Sequence, residues 1–551
     1  MVTLLPLLLV VLPLLVGISL VACGDRLYTH FAKSIALWAS GVFIALSIWL
    51  WFAVSQGTAF QTETRATLPP IHAAIQFAPA ALAITAPGGF TLQFALGADS
   101  LGAVMVLLTA LVGWGVLSIA TQQIEERFSS YAGWIFLAQA GLMLVFLSLD
   151  VLVFYIGFEL ALLPLLVLIT GWGDVDSGRI AKRFVLFTLA GSIPMVLALI
   201  GIIWLYSTPT SVATSFSDLS ALAVLSSTSL EQQQWIFALL TLGLGIKMAL
   251  IPGHTWLPDT YRASAPTTSA LLAAVVLKMG LFGFLRIAIP MLPLASERYG
   301  TVVLGTLGAV AIIYGGLCAL AQRDLRMLLA YSSLSHVGFI TLGMFSLTSE
   351  GVAGGALQMF NHGITTAAMF LLAGCLIHRR GTAEIKGMGQ GLATVYPRLA
   401  VLTIFFLIAG AGMPGASNFV GELLALSGMM AKYPSLAVAA IGGVLLGAWY
   451  SLRLAKDLLF GSVQSKSPHG RRVFQHDLSL VEWLPLTILV GLSLFIGLWP
   501  QAALLPIQAD TDRLLEPYRR PNATVAISPL PAIEKASSTA LTSTNTMESA
   551  R

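Results

Sequence analysis

GIKMALIPGHTWLPD, residues 245–259, places Pro252-Gly253 inside a run apolar enough to cross a membrane, with Lys247 shortly before the interruption. Proline removes one backbone hydrogen bond and its ring clashes with the preceding turn, so a helix kinks or stops there. AGAGMPGASNFVGE, residues 409–422, repeats the form with Pro414-Gly415 in mid-run and Glu422 at its end. Broken helices at corresponding positions of two halves mark inverted-repeat transporters, whose ion paths run past the breaks. On this reading spans four to eight of the chain pair with spans nine to thirteen.

Composition agrees with a polytopic membrane protein. Of 551 residues, 57% are hydrophobic and only 10% charged, with a mean hydropathy of +0.86, too little polar surface to cover a soluble globule. A hydrocarbon core of about 30 Å takes about 20 apolar residues per helix. The chain then divides into fourteen spans, centred near residues 12, 42, 110, 140, 160, 194, 247, 279, 310, 337, 366, 414, 444 and 493. The predicted fold class is an all-α polytopic membrane protein with helices seven and twelve broken.

Four segments follow. Residues 1–99 hold spans one and two and, over 54–99, an irregular outside loop containing TETRATLPP and APGGF. Residues 100–461 form the core, with inverted repeats over about 131–291 and 299–460. Residues 462–503 supply a loop and the last span, and 504–551 turn rich in Pro, Ser, Thr and Ala, a composition too poor in large apolar residues to bury a core and therefore read as a disordered tail.

Orientation follows the placement of Lys and Arg. With the N-terminus outside, the inside loops (GDRLYTHFAK, DVDSGRIAKR, QRDLR, HRRGTAEIK, Arg453 to Arg472, plus Arg127, Arg262 and Arg398) hold 18 of the 29 Lys and Arg residues. The outside loops hold three, Arg65, Arg298 and Lys432. Both termini then lie on the non-cytoplasmic side. LVAC at 20–23 has the form of a bacterial lipoprotein signal, but no positively charged region precedes it and the run suffices to span. Cys23, Cys318 and Cys375 show neither a disulfide framework nor metal-ligand spacing.

Four ionisable residues sit deep in apolar stretches: Glu159, Lys247, Lys278 and Glu422. A charge at mid-bilayer costs about 2.5–3.5 kcal/mol on insertion scales, so such residues face a protein interior or a water-filled cavity and mark ion pathways. An isolated intramembrane Glu is often a protonated packing residue; four such groups together point to transport. Burial disfavours the charged form and an opposite charge nearby restores it. A Glu159–Lys247 ion pair that opens and closes would therefore load and release a proton. Lys278, on an unbroken span with no carboxylate near it in sequence, would carry protons between half-channels.

His254, His336 and His362 also fall in or near spans. A lone helical His is more often a packing residue, yet its unperturbed pKa near 6.5 suits proton transfer. Ser332, Ser333, Ser335 and Asn361 read as helix-packing groups. No Cys cluster, G-x-G-x-x-G or P-loop is present, so any electron transfer takes place outside this chain.

These motifs resemble the antiporter-like membrane subunits of respiratory complex I, the proton-pumping NADH:quinone oxidoreductase, and most closely the M-type subunit, or chain 4. The resemblance rests on FYIGFELALLPLLVLITGWG (154–173), RFVLFTLAGS (183–192), IKMALIPGHTWLPD (246–259) and SAPTTSALLAAVVLKMGLFGFLR (264–286), and continues through LLAYSSLSHVGF, QMFNHGITTAAMFLLAG, GMPGASNFVGE and AWYSLRLAKDLLFG. It implies a fourteen-helix core of two inverted five-helix repeats. Glu159 would be the glutamate of helix five, Lys247 its partner on helix seven, Lys278 the central lysine of helix eight, and Glu422 the helix-twelve group, which is Glu in M-type and typically Lys in L-type and N-type subunits.

The resemblance also implies that the chain binds no cofactor, NADH, FMN, iron–sulfur clusters and quinone belonging to other subunits. Its partners would be L-type and N-type antiporter-like subunits, small membrane subunits and the lipid of a bacterial inner membrane, with no nucleic acid. The family often reads WLPDAH where this chain has WLPDTY, so Tyr261 stands in place of a second histidine. The expected function is a proton-translocating subunit of an NADH or ferredoxin:quinone oxidoreductase, with no bond chemistry in the chain itself. The alternative is an Mrp-type cation/proton antiporter subunit, which shares helices four to thirteen; a third, an assembly scaffold with degenerate charges, is disfavoured by the intact set of four ionisable groups.

Overall fold

The computed structural model describes residues 2–60, 75–77, 83–86, 90–174, 176–207, 212–225, 228–461 and 476–519. Among them are twelve helices long and apolar enough to cross a membrane. Their coverage by the rest of the chain differs sharply. The most apolar window of Pro266–Met291 is wholly buried and that of Ser349–Arg380 94% buried, against 28% for Thr29–Gln56 and for Pro434–Leu459. The first two therefore form the centre of the bundle. The peripheral helices turn Trp38, Trp204, Leu445 and Trp449 outward, the apolar exterior that a span facing lipid needs.

Helix starts are set by side chains that satisfy orphan backbone donors. Asp99, Asp150, Asp324 and Thr348 accept first-turn N–H groups of Ser100–Gln123, Val151–Trp172, Leu325–Met344 and Ser349–Arg380. Ser229 with Gln232 and Ser479 with Glu482 close capping boxes on Leu230–Lys247 and Leu480–Leu498.

The two predicted breaks lie where Pro-Gly stands. Leu230–Lys247 stops at Lys247 and the chain resumes as Trp256–Ala263. Pro397–Gly410 stops and resumes as Ser417–Lys432, with Gly412 at φ 77° and Gly415 at φ 92° between them, a left-handed backbone that glycine adopts without steric cost. The stretches read as spans seven and twelve are thus each a pair of shorter helices. The span carrying Lys278 is continuous over Pro266–Met291, yet π-helical turns at Leu272–Val276 and Phe284–Ala288 flank the α-helical Leu277–Gly283. Single π turns recur at functional sites because they loosen the regular backbone ladder.

Two expectations need correction. The outside loop is not wholly irregular: Ile75–Phe77 pairs antiparallel with Leu96–Ala98, and Ala83–Ala86 with Phe90–Gln93. The segments IQF, AITA and FTLQ carry β-branched and aromatic residues, which favour strands, and Pro87-Gly88-Gly89 is a turn-forming joint in the sequence. The disordered tail does not begin at 504 either, since Gln501–Leu514 and Glu516–Arg519 are helical and bury Ile507, Thr511 and Leu514. Averaging this amphipathic stretch with the Ser/Thr-rich sequence after it hid its leucines. Arg65, Lys466, Arg471, Arg472 and the chain from 520 onward lie outside the described residues.

Candidate functional site

Val151–Trp172 brings Glu159 to the end of Leu230–Lys247, where Lys247 Nζ lies 2.9 Å from Glu159 Oε1. The lysine is the last residue of its helix, so the negative end of the helix dipole favours its charge. Its ammonium also stands 4.0 Å from the centre of the Phe158 ring, an attraction that strengthens out of water. Ser192 Oγ donates to the same Glu159 oxygen. Helices Ser177–Tyr206 and Leu230–Lys247 cross at bare glycines next to it: a Cβ on Gly243 would lie 2.8 Å from the Gly191 carbonyl oxygen. Lys247 is buried while 27% of the Glu159 side chain remains exposed at the edge of the chain.

A second set lies across four helices. Lys278 is fully buried; its Nζ donates to the Ala273 carbonyl, inside the first π turn, at 2.8 Å and lies 2.8 Å from His362 Nδ1. The His362 ring is 5.1 Å from that of His336, centre to centre and tilted by 36°. His336 Nδ1 in turn lies 2.8 Å from Glu422 Oε1, which also accepts from Gln358 Nε2 at 3.2 Å. Gly412, in the second break, makes room for that carboxylate, since a Cβ there would stand 2.8 Å from Glu422 Oε2. Four of the sequence-assigned residues thus form one buried line, Lys278–His362–His336–Glu422.

The partners dictate tautomers. A charged lysine offers only donors, so His362 Nδ1 presents its lone pair and its ring proton sits on Nε2, a buried atom without a partner among the described residues. A carboxylate accepts only, so His336 Nδ1 carries a proton towards Glu422, and in a neutral ring Nε2 would be the acceptor. The facing rings therefore offer a donor on one side and an acceptor on the other.

The remaining assignments divide. His254 stands apart from both sets, edge-on to Tyr314 at 5.2 Å, with a buried Nδ1 that has no hydrogen-bond partner among the described residues. Tyr261 is fully buried, edge-on to Phe370 at 5.3 Å, with a hydroxyl that likewise lacks a partner among the described residues. Asn361 donates to the Ser417 carbonyl at 2.7 Å and so pins the second break to Ser349–Arg380; Ser335 donates to the Ile312 carbonyl. Both are packing groups, as their sequence context suggests. Lys278, expected to lack a permanent partner, has two neutral ones. Sequence reasoning passed over Ser192, Gln358 and Tyr450; only Gln358 carried a signal, one helical turn before His362 on the same face.

Residues 148–447 match the family described as NADH:quinone oxidoreductase/Mrp antiporter, TM. The chain is 34% identical over 516 residues to NADH-ubiquinone oxidoreductase chain 4 of Chondrus crispus, covering 93% of this chain and 98% of that one. Against NADH-quinone oxidoreductase subunit M of Rhodobacter capsulatus it is 35% identical over 442 residues, 79% of this chain and 84% of that one. In fold it matches a chain of respiratory complex I from Thermus thermophilus with a TM-score of 0.78 at 32% identity, over 94% of this chain and 100% of that one. A chain of the Mrp complex from Dietzia sp. shares the fold, TM-score 0.78, at 21% identity over 94% of this chain and 98% of that one. The chain accordingly belongs to the family of antiporter-like NADH:quinone oxidoreductase and Mrp antiporter membrane subunits, among its M, or chain 4, members.

Proposed function

We propose that this protein is the proton-translocating M-type membrane subunit of a redox-driven NADH or ferredoxin:quinone oxidoreductase, with no bond chemistry of its own and the redox groups carried by other subunits. The observation that carries the reading is the buried line from Lys278 to Glu422 beside a separate Glu159–Lys247 pair. One proton passes along it when Lys278 gives Nζ–H to His362 Nδ1, His362 releases Nε2–H towards His336 Nε2, and His336 gives Nδ1–H to Glu422. Each imidazole ends in its other tautomer and is reset by ring rotation.

The first pair biases the line electrostatically. Paired with Glu159, the Lys247 charge is balanced; parted from it, that charge disfavours a second ammonium on Lys278 and drives the proton onward. The two helices are close enough for this, since a Cβ on Gly280 would lie 3.0 Å from the Leu244 carbonyl oxygen. An exposed edge of Glu159 is costly against lipid, which supports coverage by a neighbouring membrane subunit. Each interrupted pair is read as one crossing, giving fourteen crossings in two inverted five-helix repeats, in a bacterial inner membrane with the Lys/Arg-rich loops in the cytoplasm. Greater identity to chain 4 and M relatives than to the Mrp chain favours the redox-driven pump over the antiporter.

Glu159→Gln and Glu422→Gln test the reading, because glutamine keeps size and hydrogen bonding and cannot ionise. In vesicles with quinone reduction followed in parallel, both variants are expected to assemble and to lose most proton translocation. Pumping at the wild-type ratio in either one returns that glutamate to a packing role.

A further inference from the structure

One cavity adjoins the second set at His336, and another meets that cavity at Leu328 and Tyr450. The first leaves about 30 Å³ for water and is lined by Ser332, Ser333, His336, Met369 and Tyr450, room for one or more water molecules. The other, about 40 Å³, is lined by Arg323, Lys386, Arg453, Asp457 and again Tyr450. Leu328 and Tyr450 belong to both walls. The outer cavity thus opens among the charged loops at one end of the bundle, and the inner one ends at the imidazole that holds Glu422.

Tyr450 Oη and Ser332 Oγ lie 2.8 Å apart, a bond between helices Pro434–Leu459 and Leu325–Met344 at the junction of the two cavities. The tyrosine is buried, so its ring is part of the packing and only the hydroxyl contact is easily parted. Next to it Ser333 Oγ is buried without a partner among the described residues and Ser333 lines the inner cavity, a placement that suits bound water. His336 Nδ1 is committed to Glu422, which leaves its other nitrogen for that water.

We propose that Tyr450 and Ser332 form the gate of a water path that opens on the Arg453 face and reaches the His336–Glu422 pair. Protons exchange between that pair and the Arg453 face when the hydroxyl contact parts, and the pair is sealed from this face while it holds. This rests on the relay reading for its purpose, whereas the path itself is testable without pumping. Tyr450 is a positioning residue here, acting through water.

The test uses the assembled complex in membrane vesicles of both orientations, with Cys23, Cys318 and Cys375 of this chain replaced by alanine and Ser333→Cys introduced. The probe is 2-aminoethyl methanethiosulfonate, with a thiol scavenger on the far side and modification read by mass spectrometry of this chain. Lys386→Cys in a parallel preparation identifies which orientation exposes the Arg453 face. The introduced thiol at position 333 is expected to react from the Lys386 side, and Tyr450→Phe and Ser332→Ala each to speed that reaction about fivefold, the change that one neutral hydrogen bond supports. Preferential reaction from the opposite side, equal rates in all three backgrounds, or no reaction in any of them overturns the gate. Failure of the Glu422→Gln pumping test would overturn the relay and leave this labelling pattern standing.

Discussion

Arg379 and Glu482 bury a guanidinium and a carboxylate with their bonding capacity largely met. Two N–H···O contacts of 2.9 and 2.6 Å join them, the arginine also donates to the carbonyls of Cys375, His476 and Asp477, and the glutamate accepts from Ser479 N and Oγ. Removing one partner of such a pair costs about 3–5 kcal/mol because the other charge is left bare. Glu482→Gln is therefore expected to lower the thermal stability of the solubilised complex markedly, with pumping per quinone reduced unchanged in whatever complex survives. Lys278 has the opposite setting: an imidazole nitrogen and one carbonyl, neither of which binds the ammonium as a carboxylate would. Two substitutions separate a mobile proton at this position from a fixed charge. Lys278→Met keeps the stem and is expected to assemble with strongly reduced translocation. Lys278→Arg keeps a charge that is not released in practice, and should fail in the same way; an Arg variant that pumps normally assigns Lys278 to a fixed electrostatic role.

Gln501–Leu514 carries a buried carboxyl, Asp510, that makes its docking expected to depend on pH. It lies on Ser349–Arg380 and Ser100–Gln123, held by Ser349 Oγ donating to Asp512 at 2.6 Å and by Asp510 accepting from Ser100 N at 2.7 Å. Asp510 is buried beside the Asp99–Arg286 ion pair, with Arg513 at 3.8 Å. Burial first, and then the Asp99 carboxylate, push its pKa up from 3.8 to about 7, against the pull of Arg286, the Ser100 N–H and Arg513. A carboxyl whose pKa is higher docked than free favours docking when protonated, so this contribution is complete below about pH 4 and is lost as pH rises to about 7. Amide hydrogen exchange over 501–514, corrected for its intrinsic pH dependence, is expected to quicken across that window, and Asp510→Asn to hold it slow at pH 8. An unchanged pH profile in the Asn variant removes Asp510 as the cause. Elements also differ in how legible they were. Pro252 and Pro414 announce their breaks because one residue suffices to end a helix. The C-terminal helix depends on leucines spread through polar sequence, and its docking on partners some 400 positions away in the chain (Ser100 and Asp510), which no local pattern contains. The four mid-membrane charges stood out against apolar surroundings, whereas Tyr450 and Ser192 acquire meaning only from the residues that folding brings to them.

Contacts between loops sort the helix ends of the whole molecule into two faces. Asp174–Arg326 at 3.0 Å, Arg183–Asp259 at 2.7 Å and the Arg379–Glu482 pair gather one set of ends. Asp99 with Arg286 and Asp510, and Ser349 with Asp512, gather the other. Of the 18 Lys and Arg assigned to inside loops, 15 are among the described residues, and of the three assigned to outside loops two are, Arg298 and Lys432; Arg286, Arg513 and Arg519, placed at the second face by the fold, raise that number to five. The bias survives the correction, and loop Lys and Arg, more than acidic residues, decide which side stays in the cytoplasm. On the proposed relay, the Tyr450 cavities, which open among Arg323, Lys386 and Arg453, would join His336 and Glu422 to the first face. Lys386, exposed on the first face, and Glu350, exposed at the start of Ser349–Arg380 on the second, are suited to a direct measurement. With single cysteines at each position in the cysteine-free chain, an impermeant maleimide is expected to label the Lys386→Cys variant in everted vesicles and the Glu350→Cys variant in right-side-out ones. Labelling of both from one side would contradict the two-faced arrangement itself. The reverse assignment would keep the fold and the relay and invert only the orientation, so that the Tyr450 path would serve the non-cytoplasmic side.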